Sequence, residues 1–483
     1  MAETVDILIE KGVILTLDPE RRILTDGAIA IRGDRIAAIG KTAEIKKDFE
    51  GRKTIDASSR LVMPGLVDGH SHLIEIARGL IPDTLKTSDW LKFWCYPYLA
   101  AITEEDEYWY SKCLIAEMIR SGTTCFAEPG CKFLPTTLKA IEESGIRATT
   151  GSWVWDHAGP DGHKCPDYFL KMSLKEALDI TDHNLKTYQG AADGRVKVFA
   201  TIEGVGTCSD DLMLGAKELA DRYDTFTLMH KASSREEVES EVKATGDRPV
   251  EHMHKIGALG PNVYLNHMTA VESFEVDMLA ETDTKVCQNP PAALKLAKGT
   301  TRMGKFLEMK AKGVNVALGC DGVNSADHKD MFRAMYLAAT LPKDARVDPE
   351  VITAEDVIEM ATLNGHRAIG WEKELGSLEP GRKADLILID IDRPEWVPTY
   401  NWVYSLVYTA SGDSVDTIVS PDAGILQGLR GEREPPRSTT NRLEPTSDRG
   451  ADVRRLRRAR PPRRAAAELF GCGTPESTPN AGA

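Results

Sequence analysis

The sequence predicts an α/β fold: a (β/α)8 TIM-like barrel with a small β-sandwich domain built from both chain ends. Three observations predict it. The 483 residues exceed one small domain and suit a large catalytic domain plus a smaller one. Between residues 64 and 372 short apolar or β-branched runs alternate with helical patterns, eight strands in all, which is the rhythm of parallel strands joined by crossover helices. Outside that stretch, short strands and turns dominate.

Residues 1–63 form the N-terminal half of the small β domain. Its strand candidates are Val5 to Ile9, Gly12 to Thr16, Gly27 to Ile31 and Arg35 to Ile39, with a hairpin-like turn at Arg32-Gly33-Asp34. Residues 64–372 form the barrel. Its first strand is the apolar run from Val62, which ends in His70-Ser71-His72. Thr103 reads as the N-cap of a helix running to about Arg120, and Gly122 ends it. The next strands are Thr123 to Ala127, Arg147 to Trp153, Val196 to Thr201, Thr225 to His230, Val263 to His267, Lys285 to Gln288 and Val314 to Gly319. Helices are expected from Ser173 to Tyr188, opened by the capping-box pair Ser173 and Glu176, and from Asp210 to Arg222. Residues 373–419 complete the small domain with strands at Ala384 to Asp390 and Val415 to Val419. From residue 420 to 483 the chain is rich in Arg, Pro, Gly and Ala and lacks Lys, the composition of a disordered tail. A basic interaction tail is the second reading.

Composition narrows the function classes. The net charge of −14 gives no electrostatic footprint for nucleic acid. No run approaches the ~18 apolar residues of a transmembrane helix, and the acidic N-terminus does not read as a signal peptide. The nine cysteines form no CxxC pairs, as expected for reduced thiols of a cytoplasmic enzyme rather than a disulfide frame. A small-molecule substrate is the expected partner, with no membrane association.

The chemistry is expected where the barrel strands end at their carboxyl edge. All eleven histidines fall between His70 and His366. Four of them close barrel strands: His70, His72, His230 and His267. If the first strand runs through the His-x-His pair, both imidazoles point to one face. Asp321 follows the eighth strand in Gly319-Cys320-Asp321-Gly322. Imidazole nitrogens and a carboxylate are donors for a divalent transition metal, and such a metal lowers the pKa of bound water towards neutrality. A single strand-end histidine is more often an ordinary core or loop residue. Five ligand-type residues at four strand ends outweigh that reading.

These residues carry a family resemblance. Pro64-Gly65-Leu66-Val67-Asp68-Gly69-His70-Ser71-His72, His230, His267 and Gly319-Cys320-Asp321-Gly322 resemble the amidohydrolase superfamily over residues 4 to 419. Cys287-Gln288-Asn289-Pro290, Leu294 to Gly299 and Gly376 to Leu386 resemble the branch of triazine hydrolases and methylthioadenosine/S-adenosylhomocysteine deaminases. The resemblance implies one divalent metal per chain, held by His70, His72, His230 and Asp321. Zinc is the first expectation, and Fe2+ or Co2+ fits the same donors. Asp321 would double as general base, and His267 would orient the water or stabilise the oxyanion. No lysine follows strand four, which reads Thr201-Ile202-Glu203-Gly204, so the resemblance implies a mononuclear site. It also implies a homo-oligomer.

One departure bears on the reaction. Deaminases of that branch carry His-x-x-Glu after strand five, whereas this chain reads His230-Lys231-Ala232-Ser233. A hydroxyl does not replace a carboxylic acid as proton donor. Glu236 and Glu237 lie about one turn further on and are expected to face solvent unless the segment bends back. The leading expectation is therefore hydrolysis of a carbonyl C–N or C–S bond in an amide, urea, carbamate or thiocarbamate, herbicide-like in character. That chemistry resembles phenylurea and molinate hydrolases. The alternative is deamination or dechlorination of an N-heteroaromatic ring such as a triazine or adenosine derivative. A non-catalytic scaffold is the third reading, disfavoured because all five ligand-type residues are present. Trp90, Trp94, Trp155, His157 and His328 are candidates for the pocket wall. Packing within loops or at a dimer interface is the competing assignment. His252 and His254, on a helix before strand six, suit a surface or supporting role.

Overall fold

The computed structural model describes residues 2–157, 172–204 and 206–420, and the backbone of 424–427. The N-terminal strands are β1 (Glu3–Leu15), β2 (Ile23–Arg32), β3 (Arg35–Lys41), β4 (Phe49–Asp56) and β5 (Arg60–Pro64). The two strand candidates at Val5 and Gly12 are one strand. Lys11, at φ +66, marks a register shift between Ile9 and Gly12, and that bulge resembles a turn in sequence. Strand β4 and the helix Thr42–Asp48 before it were not expected. Of the eight β4 residues only Ile55 is buried, so this strand lacks the apolar alternation that reveals one.

The barrel strands follow: β6 (Leu66–Asp68), β7 (Thr123–Ala127), β8 (Arg147–Thr150), β9 (Val196–Val198), β10 (Ala200–Thr201), β11 (Thr227–Lys231), β12 (Val263–His267), β13 (Lys285–Gln288) and β14 (Val316–Leu318). They pair in parallel and in sequence order, β6 to β9 in one sheet and β10 to β14 in another. Phe199 joins the two sheets. Its N–H bonds Thr150 O at 2.9 Å, and the Ala200 N–H bonds Phe226 O at 2.9 Å. β9 and β10 are thus one strand position broken at Phe199. The other edge closes through Gly69 N to Leu318 O at 2.9 Å and Asp321 N to His70 O at 2.8 Å. Eight strand positions therefore complete a ring. Its interior holds Val67, Cys125, Phe199, Leu228, Tyr264, Cys287 and Ala317, with Ile369, Trp371 and Leu375 packed against them.

The helices follow their local signals. Glu104–Arg120 starts at Thr103, which exchanges capping-box bonds with Asp106, an arrangement contributing about 1 kcal/mol. Leu174–Tyr188 starts at Ser173, paired with Glu176 as expected. The third strand stops at Thr150 rather than Trp153, and the eighth spans three residues.

After the barrel come β15 (Leu386–Asp390), β16 (Val415–Ser420) and β17 (Gly424–Gln427). β15 pairs antiparallel with β5, so both chain ends share one hydrogen-bonded sheet of eight strands. The sheet continues to Gln427, inside the stretch expected to be tail; the Arg/Pro-rich remainder lies outside the described residues. β5 and β6 are separated by Gly65 alone, where the chain passes from this sheet to the barrel. A Cβ there would lie 2.0 Å from Thr124 Oγ1, so only glycine fits. Among the described residues no helix is long and apolar enough to cross a membrane.

Candidate metal centre

The five strand-end residues come together. Strand β6 ends at Asp68, two residues short of His70, so simple strand alternation does not aim the His-x-His pair. Asp68 does. Its Oδ1 accepts the Cys320 N–H at 2.9 Å and the His70 N–H at 3.3 Å, tying the first strand end to the eighth. Burial raises the Asp68 carboxyl to about 6. His230 is the penultimate residue of β11, and His267 closes β12. His267 and Asp321 sit at φ +76 and +75, left-handed conformations that non-glycine residues adopt at a cost and that concentrate at functional sites.

The donor atoms have metal-site spacing. His70 Nε2 lies 3.5 Å and His72 Nε2 3.6 Å from Asp321 Oδ1, and His72 Nε2 lies 3.2 Å from His230 Nε2. Ligands on a tetrahedral ion at ~2.1 Å are about 3.4 Å apart. Two groups of donors satisfy mutual approach within 4.8 Å: His70, His72 and His230, and His70, His267 and Asp321. The Nδ1 atoms of His70 and His72 are buried without a hydrogen-bond partner. Buried polar atoms are rarely left unpaired. The donor set therefore fits a divalent transition ion.

Electrostatics point the same way. Burial holds His70 down to about 4 and keeps His72 and His267 well below the usual histidine range, so these three imidazoles are neutral. Burial also opposes charge on His230, but the Glu203 carboxylate outweighs it and raises that residue. Burial would raise Asp321; hydrogen bonding from His70 and the neighbouring positive charge of Lys298 overcome it and hold the carboxylate well below its usual range. Two of the rings, His230 and His267, are also oriented from behind. His230 Nδ1 lies 2.9 Å from Glu203 O and 3.3 Å from its Oε2. Asn289 Nδ2 lies 3.1 Å from His267 Nδ1. Such partners fix the tautomer and strengthen the ligand.

Several participants were missed by sequence reading. Glu128, after β7, accepts the Leu73 N–H at 2.6 Å and the Gly130 N–H at 3.2 Å, and lies 3.7 Å from His72 Nδ1. Lys329 Nζ donates to the Asp321 main-chain oxygen. Buried Lys298 adds positive charge that helps hold Asp321 ionised. A strand-end acid is visible as Ala127-Glu128, but no local pattern marks its partners. Glu237 is buried at 2% exposure rather than facing solvent. The segment bends back, and its two carboxylate oxygens accept the Ala232 N–H at 2.9 Å and the Ser233 N–H at 2.6 Å.

The pocket candidates divide. Trp90 and Trp155 belong to a buried apolar cluster with Trp153, and Trp94 packs against it. Trp153 lies 5.6 Å from the His72 ring and 5.7 Å from Trp155, and its Nε1 donates to Glu203. This aromatic wall therefore adjoins the metal centre. His157 is exposed and lines a side cavity with Cys208, Lys231 and His252. His328 accepts the Asp330 N–H at 3.2 Å through Nδ1, and burial lowers it to about 4. Neither belongs to the donor clusters. His252 pairs with Asp210 at 2.8 Å.

The model of the amidohydrolase family matches residues 61–424, a span holding every donor. This chain belongs to the amidohydrolase family. It is a metal-dependent hydrolase acting on carbon–nitrogen bonds other than peptide bonds. The family member is 35% identical over 411 residues to a 5-methylthioadenosine/S-adenosylhomocysteine deaminase of Syntrophobacter fumaroxidans, covering 85% of this chain and 90% of the relative. It is 33% identical over 426 residues to a 5'-deoxyadenosine deaminase of Methanosarcina mazei, covering 88% and 94%. Among solved structures, an adenosine deaminase from Xanthomonas campestris with bound zinc aligns at a TM-score of 0.79 and 28% identity, covering 90% and 95%. An atrazine chlorohydrolase from Arthrobacter aurescens complexed with zinc aligns at a TM-score of 0.78 and 22% identity, covering 88% and 96%, and shares the fold.

Proposed function

We propose that this amidohydrolase removes an amino group, or another leaving group, from an N-heteroaromatic ring of a small molecule, with adenosine derivatives the first class to test. The observation that carries the reading is the donor cluster set against an aromatic wall, with Trp153 5.6 Å from His72. The relatives named as deaminases support it. His70, His72, His230 and Asp321 would hold the metal, zinc first. The ion supplies positive charge and lowers the pKa of water. Asp321 takes the proton of the attacking water, and His267, oriented by Asn289, faces the developing oxyanion. The trio Trp90, Trp94 and Trp155 gives flat apolar surface for a ring. The reading keeps residues 64–372 as the hydrolase barrel and both chain ends as one small β domain folded as a sandwich. It places the enzyme in the cytoplasm as a homo-oligomer; the seven described cysteines, all free, agree with a reducing compartment.

One observation favours the second reading, hydrolysis of a carbonyl C–N or C–S bond in a urea-like or thiocarbamate-like compound. Ser233 offers no carboxyl where deaminases of the branch carry glutamate, and Glu237 spends both oxygens on backbone N–H groups. A product screen on zinc-loaded protein decides between them. Its panel is methylthioadenosine, 5'-deoxyadenosine, a chlorotriazine, a phenylurea and a thiocarbamate. Ammonia or chloride from a ring is the expected result. Amine or thiol from the carbonyl compounds alone transfers the assignment to the second reading, and no turnover refutes both.

A further inference from the structure

Four buried glutamates surround the donor cluster, and three are committed. Glu128 and Glu237 accept backbone N–H groups on both oxygens. Glu203 is held between Trp153 and His230. Glu75 differs. It lies three residues after His72, is 1% exposed, and receives the Cys95 thiol on Oε1 at 3.4 Å. Its Oε2 is buried without a partner.

That free oxygen rests against Gly322, the residue after Asp321. A Cβ on Gly322 would fall 1.7 Å from Glu75 Oε2, while the Gly322 N–H donates to Asp321 Oδ1 at 2.7 Å. The two carboxyl groups thus flank one glycine. The arrangement is anchored, because the Asn324 N–H donates to Glu75 O at 3.1 Å. Asn324 itself is buried with both side-chain ends unpartnered. Buried polar atoms are rarely left unsatisfied, and Glu75 and Asn324 lie together beside the donor cluster with such atoms.

We propose that Glu75 is the acid that hands a proton to the departing nitrogen, in place of the glutamate absent at Ser233. The proposal rests on the reading of the chain as a C–N hydrolase. Asp321 takes one proton from the attacking water as the C–O bond forms and the π pair of the ring C=N, or of the carbonyl, moves onto its heteroatom, from which it returns when the leaving group departs. The Glu75 O–H then protonates the leaving nitrogen, the C–N bond breaks with its electron pair on nitrogen, and Glu75 remains as carboxylate. The proton on Asp321 returns to Glu75 around Gly322, so the cycle consumes only water and substrate. Burial, reinforced by the Asp321 charge, raises Glu75 to about 8, which keeps it protonated at neutral pH. Asn324 holds the leaving group against it.

The test uses zinc-loaded full-length protein and a matched pair, adenosine and 6-chloropurine riboside, since chloride leaves without a proton. Glu75→Gln is expected to lower ammonia release about 100-fold or more and chloride release under about threefold, with zinc content unchanged. Equal losses for both substrates with zinc retained, or no loss for either, overturn the proposal. If Glu75→Gln does not fold, Glu75→Ala with and without formate reads the same point: formate must restore ammonia release at least about tenfold, and no rescue overturns it. If the wild type turns over neither nucleoside, the proposed substrate class fails while Glu75 remains testable. The pair then becomes a phenylurea and the matching nitrophenyl carbamate, with the same split expected. No turnover of either pair overturns both proposals.

Discussion

Glu203→Gln separates orientation of His230 from its electrostatic support. In the native site, His230 Nδ1 lies 2.9 Å from Glu203 O and 3.3 Å from Glu203 Oε2. The main-chain oxygen survives the substitution, so the ring keeps its tautomer and Nε2 still faces the donor cluster. What is lost is the negative charge that raises His230 against its burial. Losing a supporting group behind a ligand costs ~10–100-fold in metal affinity. Because the carbonyl bond persists, the low end applies: about tenfold, or about 1.4 kcal/mol. Glu203→Ala also removes the carboxylate that accepts from the buried Trp153 Nε1 and should reach the upper end. The assay is competition for zinc against a chelator of known affinity, at fixed pH. Unchanged affinity in both variants would refute the supporting role. A loss beyond about 1,000-fold in Glu203→Gln, well outside the supporting-group range, would show that Glu203 is itself a ligand.

Gly322→Ala has a backbone any residue adopts, φ −66° and ψ 149°, so its cost is steric. The new methyl must displace Glu75 Oε2, and overpacking of this kind costs about 1–3 kcal/mol. Thermal unfolding should show it, with Gly40→Ala, whose nearest atom is 3.4 Å away, as the near-neutral control; equal midpoints would contradict the packing. His366 is fully buried, and burial pushes it down to about 3. Its folded pKa is depressed, so the unfolded chain binds the proton first, and stability falls as pH drops from about 6.5 towards 3, by up to about 1.4 kcal/mol per pH unit. Denaturant titrations from pH 7 to 4 should show a shallower loss in His366→Gln than in wild type. Parallel curves would refute that assignment.

The donors were legible because each stands at the end of a short apolar run, and a barrel puts all such ends on one rim. His230 and His267 needed nothing more than β11 and β12. His70 and Asp321 depended on the closing bonds to the eighth strand, which sequence spacing does not show. Asp68, Glu128 and Glu75 were illegible as site residues for the same reason. Their partners are Cys320, Leu73, Cys95 and Gly322, and three of these four contacts bridge separate barrel units. Glu237 was misjudged because helical spacing carries no sign of the turn at Ala232, which sits at φ +49 and folds the chain back. The edge strand β4 was hidden by its solvent-facing polar residues.

The central claim is that His70, His72, His230 and Asp321 hold one ion. The direct measurement is metal content by elemental analysis, with X-ray absorption on the same zinc-loaded samples of wild type and His70→Ala. The account predicts about one zinc per wild-type chain, bound only by nitrogen and oxygen at ~2.0–2.2 Å, and its loss from His70→Ala after dialysis. Sulfur neighbours at ~2.3 Å, or full zinc retention in His70→Ala, would contradict it.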